Sequence, residues 1–292
     1  MAQFSTTLLA GVTIGAVFAI LAICLNMVYQ VSGIANLALA EFAVLGALST
    51  IELTTRGVSL IGAMVIVLAG ALLVGMLVHE LTVRRVRFLG PVRSPIIVTL
   101  GIGLIMRGVS QKSWGEDAYG LTSFSGTEPF RVGFLAIPTQ TVWVVGVAFL
   151  LTVFLMLFFR SSMGRVFTSC AENPEAASLM AIPVERVSRW AFGIGGMIAA
   201  LAGVIIAPIT FMSYNSGLPL LLNGFIAAAV GGFATAGGGI VGGLVVGLLT
   251  AFVAGYVSSG FTEPIVFGAL LLVLVVRPTG LVRSTHSAEA RA

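Results

Sequence analysis

Long apolar runs separated by short polar ones organise this chain. Leu8–Tyr29, Val58–Val83, Phe134–Phe159 and Trp190–Thr210 are each long and apolar enough to cross a bilayer, which takes about 20 residues as a helix. Gly33–Ile51 and Ser94–Gln111 are shorter and each carries one charge, Glu41 or Arg107. Beyond residue 210 come a Gly-rich apolar stretch, Leu220–Gly237, then Gly239–Tyr256 and Pro264–Val276. The runs are continuous rather than alternating, which excludes a β-barrel. The pattern predicts an all-α polytopic membrane protein with about eight or nine hydrophobic elements, since helices satisfy their own backbone in lipid. Leu220–Gly237 reads as a short span or as part of a broken or re-entrant element. The chain reads as a single transmembrane domain, 1–292, with one long polar loop at 160–189. Its N-terminus, MAQFSTT, has no basic segment, so the first run reads as a retained span rather than a cleaved signal.

Composition agrees with lipid as the solvent. Of 292 residues, 58% are hydrophobic and 9% charged, against about 25% charged in soluble domains. The distribution of the basic residues predicts orientation. Arg84, Arg85, Arg87 and Arg93 share one loop. Arg160, Arg165, Arg186 and Arg189 share another, and Arg277, Arg283 and Arg291 lie in the tail. These three segments read as cytoplasmic. The loop Lys112–Arg131, with Glu116, Asp117 and Glu128, suits the outside. The N-terminus then comes out external and the C-terminus cytoplasmic.

Within the 160–189 loop, AENPEAASLMAIP (171–183) begins like a capped helix. Asn173 is a good N-cap, Pro174 fits the first helical position, and Glu175 sits where the helix dipole favours an anion. Pro183 disfavours helix at Ile182, leaving roughly two turns. Ala176, Leu179 and Met180 fall on one face. So short a helix is marginal alone and needs something to pack on. The residues leave two readings open, a loop helix lying on its own membrane domain and a plug docking into a cytoplasmic partner.

AENPEAASLMAI, preceded by RSSMGR (160–165) and followed by ERVSRWAFGIGGMIAALAG (185–203), resembles the permease subunit of branched-chain amino acid ABC importers. SGIANLALAEFAVLGA (32–47), SPIIVTLGIGL (94–104), NGFIAAAVGGFATAGGGIVGGLVVGLL (223–249) and VVRPTGL (275–281) are similar to further segments of that family, in the same order. The resemblance implies an inner-membrane importer subunit. It would work with a second, related but non-identical permease, two ATP-binding subunits and an external binding protein. ATP and magnesium would be bound by the ATPase partners, with no cofactor in this chain. It also implies that Glu172, Asn173, Glu175, Ala176, Ala177, Leu179 and Met180 form the coupling contact with the ATPase. Three departures stand out. Relatives usually have Gly at position 181, where this chain has Ala181, so the helix end is expected to be finished by Pro183 alone. Leu39-Ala40 replaces a usual His-Gly, and Thr168 takes a position often held by Arg. The cargo is expected to be a branched-chain amino acid, with other amino acids, amides or urea left open.

Other features carry weaker signals. Intramembrane carboxylates are costly and usually face a bundle interior or water. Glu41, five residues after Asn36, is therefore a candidate pathway residue or stabiliser of a broken helix, and equally a snorkelling carboxyl. Asn36 and Glu41 do not share a face of a regular helix, which predicts a break near 36–40. Asn223 joins them as a tentative pathway residue. Arg107 reads as a snorkelling side chain or a contact for a substrate carboxylate. Gly239, Gly243 and Gly247 make a smooth stripe for close helix packing, within the chain or against a second permease. Lys112 is the only lysine, so the Gly-rich run is no phosphate-binding loop. Tyr214, Asn215 and Ser216 read as an external turn. Cys24 and Cys170 give no disulfide framework, and His79 and His286 no metal set. The competing functional class is an ion-coupled secondary transporter, which builds midplane sites from inverted repeats; no clear repeat is visible. A non-transporting scaffold would have no use for the structured loop.

Overall fold

A computed structural model describes residues 2–84, 95–126, 129–132, 135–233, 236–277 and 280–282. Much of the first basic loop, Arg283, His286 and Arg291 lie outside the described residues. The helices are α1 (Ala2–Ser32), α2 (Leu39–Thr55), α3 (Leu60–His79), α4 (Pro95–Trp114), α5 (Thr139–Arg160), α6 (Ser162–Glu172), α7 (Pro174–Leu179), α8 (Val184–Ile206), α9 (Gly217–Gly231), α10 (Ala236–Tyr256) and α11 (Thr262–Val276). A π-helical turn, Glu80–Arg84, extends α3. A small antiparallel hairpin pairs β1 (Phe130–Val132) with β2 (Leu135–Ile137). Among the described residues six helices are long and apolar enough to cross a membrane: Gln3–Ser32, Leu60–Thr82, Thr139–Arg160, Val184–Ile206, Gly237–Tyr256 and Ser259–Val276. The helix α9 has 15 residues and α2 has 17, so each falls short of a regular span.

The chain divides into two compact units. One comprises 1–26, 122–153 and 222–292, the other 27–121 and 154–221.

In the first unit, α10 lies against α1 along its glycine stripe. A methyl on Gly239 would meet Ile23, one on Gly243 would come within 2.6 Å of the Ala19 Cβ, and one on Gly247 would strike Gly15. The predicted stripe thus packs within the chain. The adjacent face of α10 is equally tight, with Gly242 against Ala227 of α9. Absent side chains let the backbones approach and gain dispersion contacts, the main source of helix association where lipid removes a hydrophobic drive. Thr13 Oγ1 and Thr141 Oγ1, 3.3 Å apart, join α1 to α5. Leu281 and Val282 donate backbone hydrogen bonds to Val230 and Gly231 at the end of α9.

The second unit is built on α8, which packs against α3 and α2. Gly46 of α2 faces Ala200, Gly203 faces Ala43, and Gly75 of α3 faces the Phe192 carbonyl. Phe42, Phe192, Leu39 and Leu48 fill the space between them and are fully buried. The chain unwinds over 33–38, between α1 and α2, starting at Gly33 with φ +67°. That interruption overlaps the break anticipated near 36–40. Its backbone groups find side-chain partners: Asn36 Oδ1 accepts from the Ala38 amide at 3.1 Å, and Thr99 Oγ1 of α4 accepts from the Leu37 amide at 3.3 Å. Non-helical backbone at membrane depth survives only when satisfied in this way.

Candidate coupling site

The polar loop is more ordered than its sequence showed. Two helices, α6 and α7, occupy it. Ser161 caps α6 by accepting from the Gly164 amide at 3.2 Å, and Gly164 lets the chain turn tightly against Phe158 and Phe159. Phe167 and Cys170, three apart on α6, are buried. They belong to a cluster with Val31, Ala177, Val187 and Ala191, covered by Phe158, Phe159, Val166, Ile182 and Val184. Phe158 meets the Phe167 ring edge-on, with centroids 5.3 Å apart. Burial pushes the Cys170 thiol above its ordinary range, so it packs as a small neutral group. Thr168, at a position where arginine had been expected in relatives, returns its hydroxyl to the Gly164 carbonyl.

The cap of α7 is as the sequence reads. Asn173 has an extended backbone, and its Oδ1 accepts from the amides of Glu175 at 3.1 Å and Ala176 at 3.0 Å. Pro174 occupies the first turn. At the other end the expectation fails. Ala181 takes φ +60°, so the left-handed cap is present without glycine. Its amide donates to Ser178 O, and the Ile182 amide reaches back to Ala177 O, both at 3.1 Å. This is the paired bonding of a Schellman motif. The side chain that enforces it is Ile182, packed on the cluster containing Ala177. Pro183 therefore does not end the helix alone.

Burial sorts the seven predicted coupling residues. Ala177 is 4% exposed and belongs to the protein's own core, so its role as a docking contact is corrected to that of an anchor. Glu172, Asn173, Glu175 and Ala176 are exposed. Leu179 is 88% and Met180 78% exposed, two large apolar side chains at the tip of a helix fixed at both ends. A cleft of about 440 Å³ runs beside α7, lined by Pro174, Pro183 and Val184 as well as Glu175, Ser178, Glu185 and Arg186. After α7 the chain enters α8, where Arg189 pairs with Glu80 in the π-helical turn after α3. The loop is thus connected directly to the tightest helix pair of its unit, α3 with α8.

The predicted pathway residues separate. Asn36 and Glu41 lie in one unit. Asn223, half-buried on α9, lies in the other. Glu41 is in the first turn of α2 and is buried. Its carboxylate fills the space beside Gly217, where a methyl would collide with both oxygens. Gly217 starts α9, so the carboxylate lies at the amino ends of two helices, where partial positive charge favours it. The Arg107 guanidinium lies 5.7 Å from the Tyr214 ring centroid, in cation–π range. Arg107 is half-buried and lies over that ring. Tyr214–Ser216 form a 3₁₀ turn closed by a capping box between Ser213 and Ser216. Glu41 Oε2 and Asn36 Nδ2 are buried without a hydrogen-bond partner among the described residues. No group of three or more metal-ligating side chains occurs among the described residues.

Comparison with known proteins decides the family. The model of the branched-chain amino acid transport system / permease component family matches residues 7–275. This chain belongs to that family. It is 29% identical to the high-affinity branched-chain amino acid transport system permease protein LivH of Escherichia coli K12, over 93% of this chain and 92% of the relative. It is 28% identical to BraD of Pseudomonas aeruginosa, over 94% of each chain. A probable LivH of Methanocaldococcus jannaschii is 23% identical over 90% of this chain and 85% of that one. The permease is therefore a multi-pass inner-membrane transport subunit, and the six long apolar helices among the described residues fit that role.

Proposed function

We propose that this permease forms, with a second permease chain, the membrane path of an ATP-driven importer for branched-chain or other small amino acids. An external binding protein delivers the cargo. Two separate ATP-binding subunits, holding ATP and magnesium, drive the cycle from the cytoplasmic side. The helix α7 seats in a groove of one of them, with Leu179 and Met180 as anchors and Glu172, Asn173, Glu175 and Ala176 around them. The observation that carries this reading is the exposure of Leu179 and Met180 on a rigid, doubly capped helix. Exposed apolar side chains at a polar loop cost little if a partner covers them, and central apolar anchors dominate interface energies. Movement of the ATPase would pass through α7 and the Arg189–Glu80 pair into α8 and α3 as a rigid-body shift. Within the path, Asn36 and Glu41 in one unit, and independently Asn223 in the other, would each present polar groups to the cargo.

The test is reconstitution with the candidate ATPase. Glu175→Arg and Ala176→Trp alter exposed positions and leave the buried Ala177 anchor in place. Both variants insert normally but lose the ATPase on co-purification. Retention of an active ATPase by both overturns the docking assignment.

A further inference from the structure

A second surface of the permease has the shape and chemistry of a binding site. Between α2 and α3 lies a trough of about 450 Å³. Phe42 and Leu45 line it from α2, and Ile66, Gly70 and Val74 from α3. Its walls are almost wholly apolar, and a methyl on Gly70 would meet nothing within 4 Å. Gly70 thus leaves a gap that no side chain of this unit fills. At one end the lining changes character. Glu52, Arg56 and Trp114 rim the trough, where α2 and α4 end and α3 is about to begin.

Three observations point to one occupant. The interval from Phe42 to Arg56 spans about 21 Å at the helical rise, which is about two-thirds of a 30 Å hydrocarbon core. The trough is therefore long enough to hold an extended acyl chain along its apolar walls. Next, its mouth carries one positive and one negative group side by side. Arg56 Nε donates to Glu52 Oε1 at 2.7 Å, and the side chains are 72% and 40% exposed, so the pair holds weakly and opens readily. Finally, Trp114, the last residue of α4, rims the polar end of the trough, and an amphipathic ring there suits a headgroup level.

We propose that the trough binds one acyl chain of an ethanolamine phospholipid. The chain lies along Gly70 between α2 and α3. The phosphate takes the Arg56 guanidinium, and the primary ammonium donates to the Glu52 carboxylate. A choline headgroup carries no N–H and cannot make that second contact. The occupant is distinct from the transported solute, and the inference does not rest on the identity of the cargo.

The experiment uses Trp114 as reporter in a Trp143→Phe/Trp190→Phe background. The assembled complex is reconstituted in vesicles mixing ethanolamine and choline phospholipids, with one or the other brominated in its acyl chains. Brominated ethanolamine lipid quenches Trp114 more, with a relative binding constant of about fivefold. Glu52→Gln brings the ratio toward one without changing the trough, whereas Arg56→Gln, which removes the phosphate contact common to both lipids, weakens both alike. Gly70→Phe fills the trough and reduces quenching by both lipids. Equal quenching by the two lipids, unchanged by Glu52→Gln, overturns the headgroup assignment. Shielding of Trp114 from every brominated lipid in the assembled complex overturns the site, because a second protein chain then covers the trough.

Discussion

Replacing Ala181 by Gly should tighten the end of α7. Ala181 sits at φ +60°, where a Cβ crowds the following carbonyl and costs about 1 kcal/mol or somewhat more relative to Gly. Glycine also gains freedom whenever the loop opens, which returns some of that advantage. The net stabilisation of the closed loop is then about 0.5–1 kcal/mol, or about a two- to fivefold decrease in its open population. The amides that report it are those of Ala181 and Ile182, whose bonds to Ser178 and Ala177 exist only in the closed cap. Hydrogen exchange of the 174–184 segment in nanodiscs should slow by that factor in Ala181→Gly. A β-branched replacement, Ala181→Val, should speed it. Unchanged or faster exchange in the glycine variant would refute the strained-cap reasoning.

Other consequences can be checked separately. Asn173→Ala removes the acceptor for two first-turn amides and should destabilise α7 by about 1 kcal/mol, seen as faster exchange at Glu175 and Ala176. Gly243→Val forces side-chain atoms into Ala19 of α1; overpacking of this kind costs about 1–3 kcal/mol, and size-exclusion profiles should show loss of the monodisperse species. Cys170 is buried with its thiol held neutral, so maleimide at pH 7 should label it only after denaturation, as mass spectrometry would report. Glu80→Ala leaves Arg189 without its partner across the α3–α8 contact and should lower uptake per ATP hydrolysed while the complex still assembles, measured by paired uptake and ATPase assays.

Local chemistry was readable in the sequence wherever the decisive partners are close along the chain. Asn173 caps amides two and three residues away, so its role follows from spacing. The glycine stripe of α10 is likewise periodic, although nothing in that period names α1 as its partner. The misread elements depend on distant contacts. Ala181 is driven into the left-handed region because Ile182 packs on a cluster that includes Val31 and Val187, and propensity alone favours the opposite result. The helix α6 was missed because its polar residues resemble a loop; the spacing of Phe167 and Cys170 was its available signal. Ala177 and Ala176 look alike in sequence, and only the packing of α6 and α8 tells the anchor from the exposed neighbour. Glu41 was conspicuous as a membrane carboxylate, but its contact at Gly217 joins residues far apart in the sequence.

The account's central claim is that an ATPase engages α7 to power transport. The most direct measurement is ATP-driven leucine uptake by proteoliposomes holding the complete transporter, with wild-type permease or with Leu179→Arg/Met180→Arg. The wild type should accumulate leucine only with ATP inside the ATPase compartment, and the double variant should insert yet lose both ATPase retention and uptake. Uptake that persists without any ATP-binding subunit and collapses on adding a protonophore would contradict the account.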